Sequence, residues 1–154
     1  MEAESVIAKA ILAFVLMPLM VAFVIPLAFL RPPESARTFH VAAVVPLVVG
    51  TLLLLWCVRD FYVSGKGTLA PWSPPQHLVV VGLYRWSRNP MYISVVLILL
   101  GWAAAYRSTA LLGYAVFFMV TFYVRVVIFE EPWLARRYGE QWEHYRAHVP
   151  RWFG

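Results

Sequence analysis

Four apolar runs leave this chain few folds to choose from: Val6–Leu30, Phe39–Val58, Pro90–Tyr106 and Thr109–Phe129. A helix crosses the hydrocarbon of a bilayer with about 20 apolar residues, and a helix can satisfy its own backbone there. The first run carries Pro18 and Pro26, which kink it, and the second is interrupted by Pro46 and Gly50. The third rises only about 25 Å as a helix, short of the ~30 Å hydrocarbon core, so interfacial residues must flank it. Composition agrees: 62% of residues are hydrophobic and 14% charged, where a soluble domain is about half apolar and a quarter charged. The expectation is an all-α membrane protein, a single domain over residues 1–154. It has about four transmembrane helices and a C-terminal amphipathic interfacial helix.

Between the second and third runs lies a loop, Arg59–Asn89, with Gly65-Lys66-Gly67, Pro71, Pro74 and Pro75, and a short extended piece at Leu78–Val81. It is long for so small a chain, and its aromatic residues argue against disorder. After Phe129 the pattern changes to mixed charge. Leu134, Tyr138, Trp142 and Tyr145 recur at helical spacing among Arg136, Arg137, Glu140, Glu143 and Arg146, which describes an interfacial helix over residues 130–148. The N-terminus, with Glu2 and Glu4, lacks the basic start of a signal peptide, so the first run reads as a retained span.

Charge sets the orientation. With four spans, Lys9, Arg59, Lys66, Arg85, Arg88, Arg136, Arg137, Arg146 and Arg151 share one side, against Arg31, Arg37 and Arg107 on the other. The positive-inside rule puts both termini and the long loop in the cytoplasm, of an inner or plasma membrane. Because arginines flank the apolar runs, the net charge of +5 points to anionic headgroups and not to nucleic acid. The lone Cys57 has no disulfide partner, and His40, His77, His144 and His148 lack ligand spacing, so no metal is expected.

Two stretches can carry chemistry. In Gly82-Leu83-Tyr84-Arg85-Trp86-Ser87-Arg88-Asn89-Pro90-Met91-Tyr92, Asn89 suits an N-cap and Pro90 a first helical residue, so the segment can be mere helix punctuation. The adjacent Glu130 and Glu131, followed by Pro132, can mark a boundary between two helices, offset by Arg125 a turn earlier. They can equally be a carboxylate pair that binds a cation or hydroxyls at the membrane surface. The tight turn near Arg107 makes the third and fourth helices antiparallel neighbours, bringing Pro90 beside Glu130.

Taken with Tyr138-Gly139, Trp142, Tyr145 and Val149-Pro150-Arg151, these motifs resemble those of the integral-membrane methyltransferases. That group includes isoprenylcysteine carboxyl methyltransferases and phospholipid N-methyltransferases. The resemblance covers roughly residues 78–151. It implies S-adenosylmethionine as methyl donor, a cytosol-facing cofactor pocket, and a lipophilic substrate arriving from the bilayer lipids. It implies that Gly82, Tyr84, Arg88, Asn89, Pro90, Tyr92, Glu130, Glu131, Tyr138 and Tyr145 hold the cofactor, with Glu130, Glu131 and Arg125 at the chemistry. Asn89 stands where the carboxyl methyltransferases usually have His, and Asn-Pro-Met-Tyr looks more like the phospholipid-methylating branch. The acceptor can be a phospholipid amine, an isoprenylcysteine-like carboxylate or a small thiol. The rival reading is a non-catalytic membrane protein, or a relative that uses the scaffold for another ligand, as a reductase-like branch would.

Overall fold

The computed structural model describes residues 18–29, 41–65 and 77–153, which are mostly helical with no strand among them. The start of the first apolar run, the turn around Pro32 and Pro33, and the prolines at 71, 74 and 75 lie outside the described residues. The elements are α1 (20–29), α2 (Val44–Gly65, entered through a 3₁₀ turn at Val41–Ala43), α3 (Pro90–Tyr106), α4 (Thr109–Tyr138) and α5 (Glu140–His148).

Proline shapes α1. Pro26 has no N–H to offer the carbonyl of Ala22, and its ring crowds that oxygen. The helix responds with a π turn at Met20–Val24, in which the Ile25 N–H bonds to Met20 O, five residues back. Two carbonyls lose their usual partners. Trp102 Nε1 donates to Ala22 O at 2.9 Å and Tyr114 OH to Val21 O at 3.1 Å. The expected kink is thus a π turn whose freed acceptors are satisfied from α3 and α4, the repair that lets proline persist in membrane helices.

α3 is the central helix. Against α2 the backbones come close: a Cβ on Gly50 would lie 2.8 Å from Ile98 Cγ1, and one on Gly101 2.8 Å from Leu47 Cγ. Ile98 and Leu99 of α3 join Leu54, Ala22 and Ala115 in the core. Arg107 turns the chain in the left-handed region (φ 47), Ser108 Oγ caps α4 by accepting from Leu111 N, and α3 and α4 run antiparallel.

Two helices, Val41–Asp60 and Thr109–Tyr138, are long and apolar enough to cross a membrane, and α3 is a shorter apolar helix. Only 22% and 17% of the first two are buried within the protein, which separates them from the core helices of a soluble domain. Val45, Val48, Leu52 and Leu55 on α2, and Val116, Phe117, Val120 and Val124 on α4, are left uncovered, a surface suited to lipid.

Two boundaries differ from the sequence reading. The second helix runs to Gly65 and not to Val58, because no helix breaker intervenes, so Arg59 and Asp60 are helical. The extended piece expected at Leu78–Val81 pairs with no strand among the described residues; Val81 has extended backbone (φ −122, ψ 162), and Leu78 and Val79 enter two different apolar clusters. The helix expected over 130–148 is split. Its first part continues α4 without a break, through a π turn at Val126–Glu130 in which Glu131 N–H bonds to Val126 O just ahead of Pro132. The interruption comes at Gly139, whose φ of 52° and ψ of −122° suit glycine alone.

Candidate functional site

The segment between Gly82 and Pro90 folds as a 3₁₀ turn, Gly82–Arg85, followed by four residues that lead into α3. Pro90 takes the first helical position as expected, but Asn89 makes no side-chain cap. Its amide donates instead to Arg151 O at 3.0 Å, and Ser87 Oγ donates to the same carbonyl at 3.2 Å. Arg88 N donates to Pro150 O at 2.9 Å. The residues after α5 therefore return as a strap bound along the start of α3.

That strap completes an ion cluster. Arg151 grips Glu131 in a two-pronged bond, Nε to Oε1 at 2.7 Å and a terminal nitrogen to Oε2 at 2.8 Å. Arg88 reaches Glu131 Oε1 at 3.1 Å. Two guanidinium groups share one carboxylate, which leaves the cluster with a surplus positive charge. The Arg88 guanidinium also lies 5.3 Å from the ring centre of the buried Trp142, a cation–π distance. Arg88 Nε is buried and has no hydrogen-bond partner. Burial pulls the Arg88 guanidinium below its ordinary pKa despite Glu131, whereas the hydrogen bond that Arg151 donates to Glu131 raises that of the more exposed Arg151. Both stay protonated at neutral pH.

Glu130 sits in a second cluster. Consecutive helical residues point about 100° apart, so Glu130 faces α3 while Glu131 faces the strap. Tyr92 OH donates to Glu130 Oε1. Arg125 Nε donates to the same oxygen at 2.7 Å and to Tyr92 OH at 3.1 Å. The Tyr92 ring stacks on Phe122 with centroids 4.5 Å apart. Between the clusters and α5, Tyr145 OH donates to Tyr84 O at 2.7 Å. Burial lifts both phenols above their usual pKa.

The site residues expected from sequence thus fall into groups. Arg88, Asn89 and Glu131 meet around Arg151; Tyr92, Arg125 and Glu130 meet one helical step away. Tyr84 is buried with Cys57 and Val79 and holds Tyr145 through its carbonyl. Tyr138 packs with Leu134 and Trp142, edge-on to Trp133. Gly82 stands apart from both clusters, against Asp60 of α2. Sequence reasoning passed over Arg151, Trp142 and Ser87 as site residues. Val149-Pro150-Arg151 after a helix was visible, but nothing in its pattern tells which earlier segment it binds.

A family model for phospholipid methyltransferases matches residues 38–141. Comparison with curated proteins and with solved structures gives no match. The matched stretch contains both clusters except for Trp142 and the strap.

Proposed function

The chain belongs to the phospholipid methyltransferase family, and from that premise we propose that it transfers a methyl group from S-adenosylmethionine to a lipid headgroup at the cytoplasmic face. The observation that carries the proposal is the convergence of Arg88, Glu131 and Arg151 beside Tyr92, Arg125 and Glu130. The donor set fits a zwitterionic sulfonium cofactor. The surplus positive charge and the spare Arg88 N–H suit its carboxylate. Glu130 and the remaining lone pairs of Glu131 suit its ammonium and ribose hydroxyls. The rings of Tyr92 and the half-exposed Trp133 offer faces to adenine or to a cation.

When bound, the cofactor supplies an electrophilic methyl group. The protein's part is to align it with the acceptor and keep water away, since displacement at a sulfonium depends mostly on positioning. Arg125 and Tyr92 fix the Glu130 carboxylate; Arg88 and Arg151 fix Glu131. The same reading carries the orientation: one domain with four membrane-crossing helices, both termini and the clusters on the cytoplasmic side, where the arginines concentrate.

The test uses purified protein in detergent. S-adenosylmethionine at ~100-fold excess over a micromolar Kd stabilises by ~2.7 kcal/mol, so the melting temperature should rise clearly. Label from a methyl-labelled cofactor should then enter the lipid fraction of a membrane extract. The absence of both effects rejects methyl transfer.

A further inference from the structure

Asp60 is not part of either cluster, and its surroundings are unusual for a carboxylate. It lies in the last turns of α2 and is only 7% exposed. Oδ2 is buried with no hydrogen-bond partner. Among the described residues the cation beside Oδ1 is the neighbouring Arg59 at 3.7 Å, and the Arg59 side chain is largely in solvent. A carboxylate hidden from water, with one oxygen unbonded and only a solvent-exposed arginine at the limit of ion-pair distance on the other, is costly, and the cost falls when a second cation joins it.

The chain leaves room for this group. Gly82 takes φ +54°, and a Cβ on it would fall 1.9 Å from Asp60 Oδ2 and 3.1 Å from Trp56 Nε1. A side chain there would displace the carboxylate, so the glycine that opens the motif loop is matched to Asp60. Asp60 and Trp56 are four residues apart on one face of α2. Tyr84, buried two residues further along the loop, lies within the electrostatic reach of Asp60.

The partner of Asp60 must be a cation of a particular kind. A metal ion would need several donors, and no group of three His, Cys, Asp or Glu side chains comes together among the described residues. An organic ammonium needs one carboxylate and gains from aromatic faces. Trp56 is half exposed on the lipid-compatible side of α2, near the end of a membrane-crossing stretch, so the ammonium should arrive at headgroup depth. Resting on the methyltransferase reading for its place in the reaction, we infer that Asp60, with Trp56 and Gly82, forms a subsite that holds the ammonium of an amine-bearing lipid headgroup, whose nitrogen becomes the methyl acceptor once one of its protons passes to the Asp60 carboxylate and frees the lone pair. The motif loop links this subsite, at Gly82, to the Tyr92–Glu130 cluster at its other end.

The test compares wild type and Asp60→Asn in detergent, titrating micellar phosphatidylethanolamine, phosphatidylglycerol and free ethanolamine separately. Phosphatidylethanolamine should raise the wild-type melting temperature more than either other probe. Asp60→Asn should weaken that response at least tenfold. Its unliganded melting temperature should equal or exceed the wild-type value, because a buried and weakly paired charge is gone, and its response to S-adenosylmethionine should be intact. An equal phosphatidylethanolamine response in the variant, or none above phosphatidylglycerol in wild type, overturns the subsite. Ethanolamine acting as well as the lipid overturns the lipid assignment. Loss of the S-adenosylmethionine response in wild type, with the phosphatidylethanolamine selectivity retained, sinks the methyltransferase reading and keeps the subsite. If Asp60→Asn fails to fold, carbodiimide labelling of Asp60 in wild type decides: protection by phosphatidylethanolamine but not by phosphatidylglycerol supports the subsite, and equal labelling under both rejects it.

Discussion

Replacing Glu131 by Gln keeps the shape of the side chain and removes its charge, and the structure gives the cost. Glu131 holds two guanidinium groups, and its side chain and that of Arg88 are 17% and 11% exposed. Breaking a buried ion pair from one side costs about 3–5 kcal/mol. Arg151, one-third exposed, keeps some water and lowers the sum, so about 3 kcal/mol is expected. For a chain of this size that is about 6–12 °C in melting temperature, read without ligand in detergent. Most of the penalty is the surplus of positive charge, so removing one arginine should return part of it. Glu131→Gln with Arg151→Met should therefore melt higher than Glu131→Gln alone, a coupling between touching groups. A single variant within 2 °C of wild type, on the order of half a kcal/mol, would refute the reasoning, as would a double variant that loses the sum of both single losses. An independent loss of cofactor response is expected in Glu131→Gln, and it must be measured below the melting temperature of the variant.

Other outcomes follow from single contacts. Asn89→Ser should cost about 1 kcal/mol in stability, because the shorter hydroxyl cannot repeat the bond to Arg151 O. If Asn89 were a helix cap, Ser would serve nearly as well, and an unchanged denaturation midpoint would show that. Gly50→Ala should destabilise by about 1–3 kcal/mol through overpacking, since the new methyl meets Ile98 Cγ1 and the Ser94 carbonyl; a neutral result would mean the α2–α3 contact is looser than described. Tyr84 and Tyr145 have raised pKa values from burial, so the folded state holds their protons more tightly than the unfolded chain, whose tyrosines titrate near pH 10. Their contribution to stability is full below about pH 10 and falls as pH rises beyond it. Ultraviolet titration should show these two phenols ionising only with unfolding, and free ionisation near pH 10 in folded protein would contradict their burial.

Much of the framework could be read in one dimension. The limits of α3 and the start of α4 follow from Asn89-Pro90 and from the break at Arg107-Ser108, and they coincide with the sequence reading. The antiparallel pairing that brings Tyr92 to Glu130 follows from that short connection. The end of the second helix was placed too early because apolar pattern and helix propagation are different quantities. Arg59 and Asp60 end the first without stopping the second. The Glu130-Glu131 boundary misled for the opposite reason. Pro132 looks like a helix start, yet a π turn absorbs its missing N–H and the helix goes on.

What the sequence determined by itself is the class of molecule and the chemistry available to it. Apolar length, arginine placement and the two motifs are properties of neighbours along the chain, and neighbours fix helix, lipid preference and side-chain type. The tertiary structure decided which charges meet. Residues 88, 131 and 151 are joined by no period or spacing; only the return of the strap under α3 puts Arg151 on Glu131 and leaves Arg88 Nε free. The same holds for Asp60, an ordinary surface acid in sequence. It becomes a buried carboxylate with one oxygen unbonded because Gly82 crosses against it. Burial and pairing depend on packing between distant segments, so their energies, and the sites they create, exist only once the chain is folded.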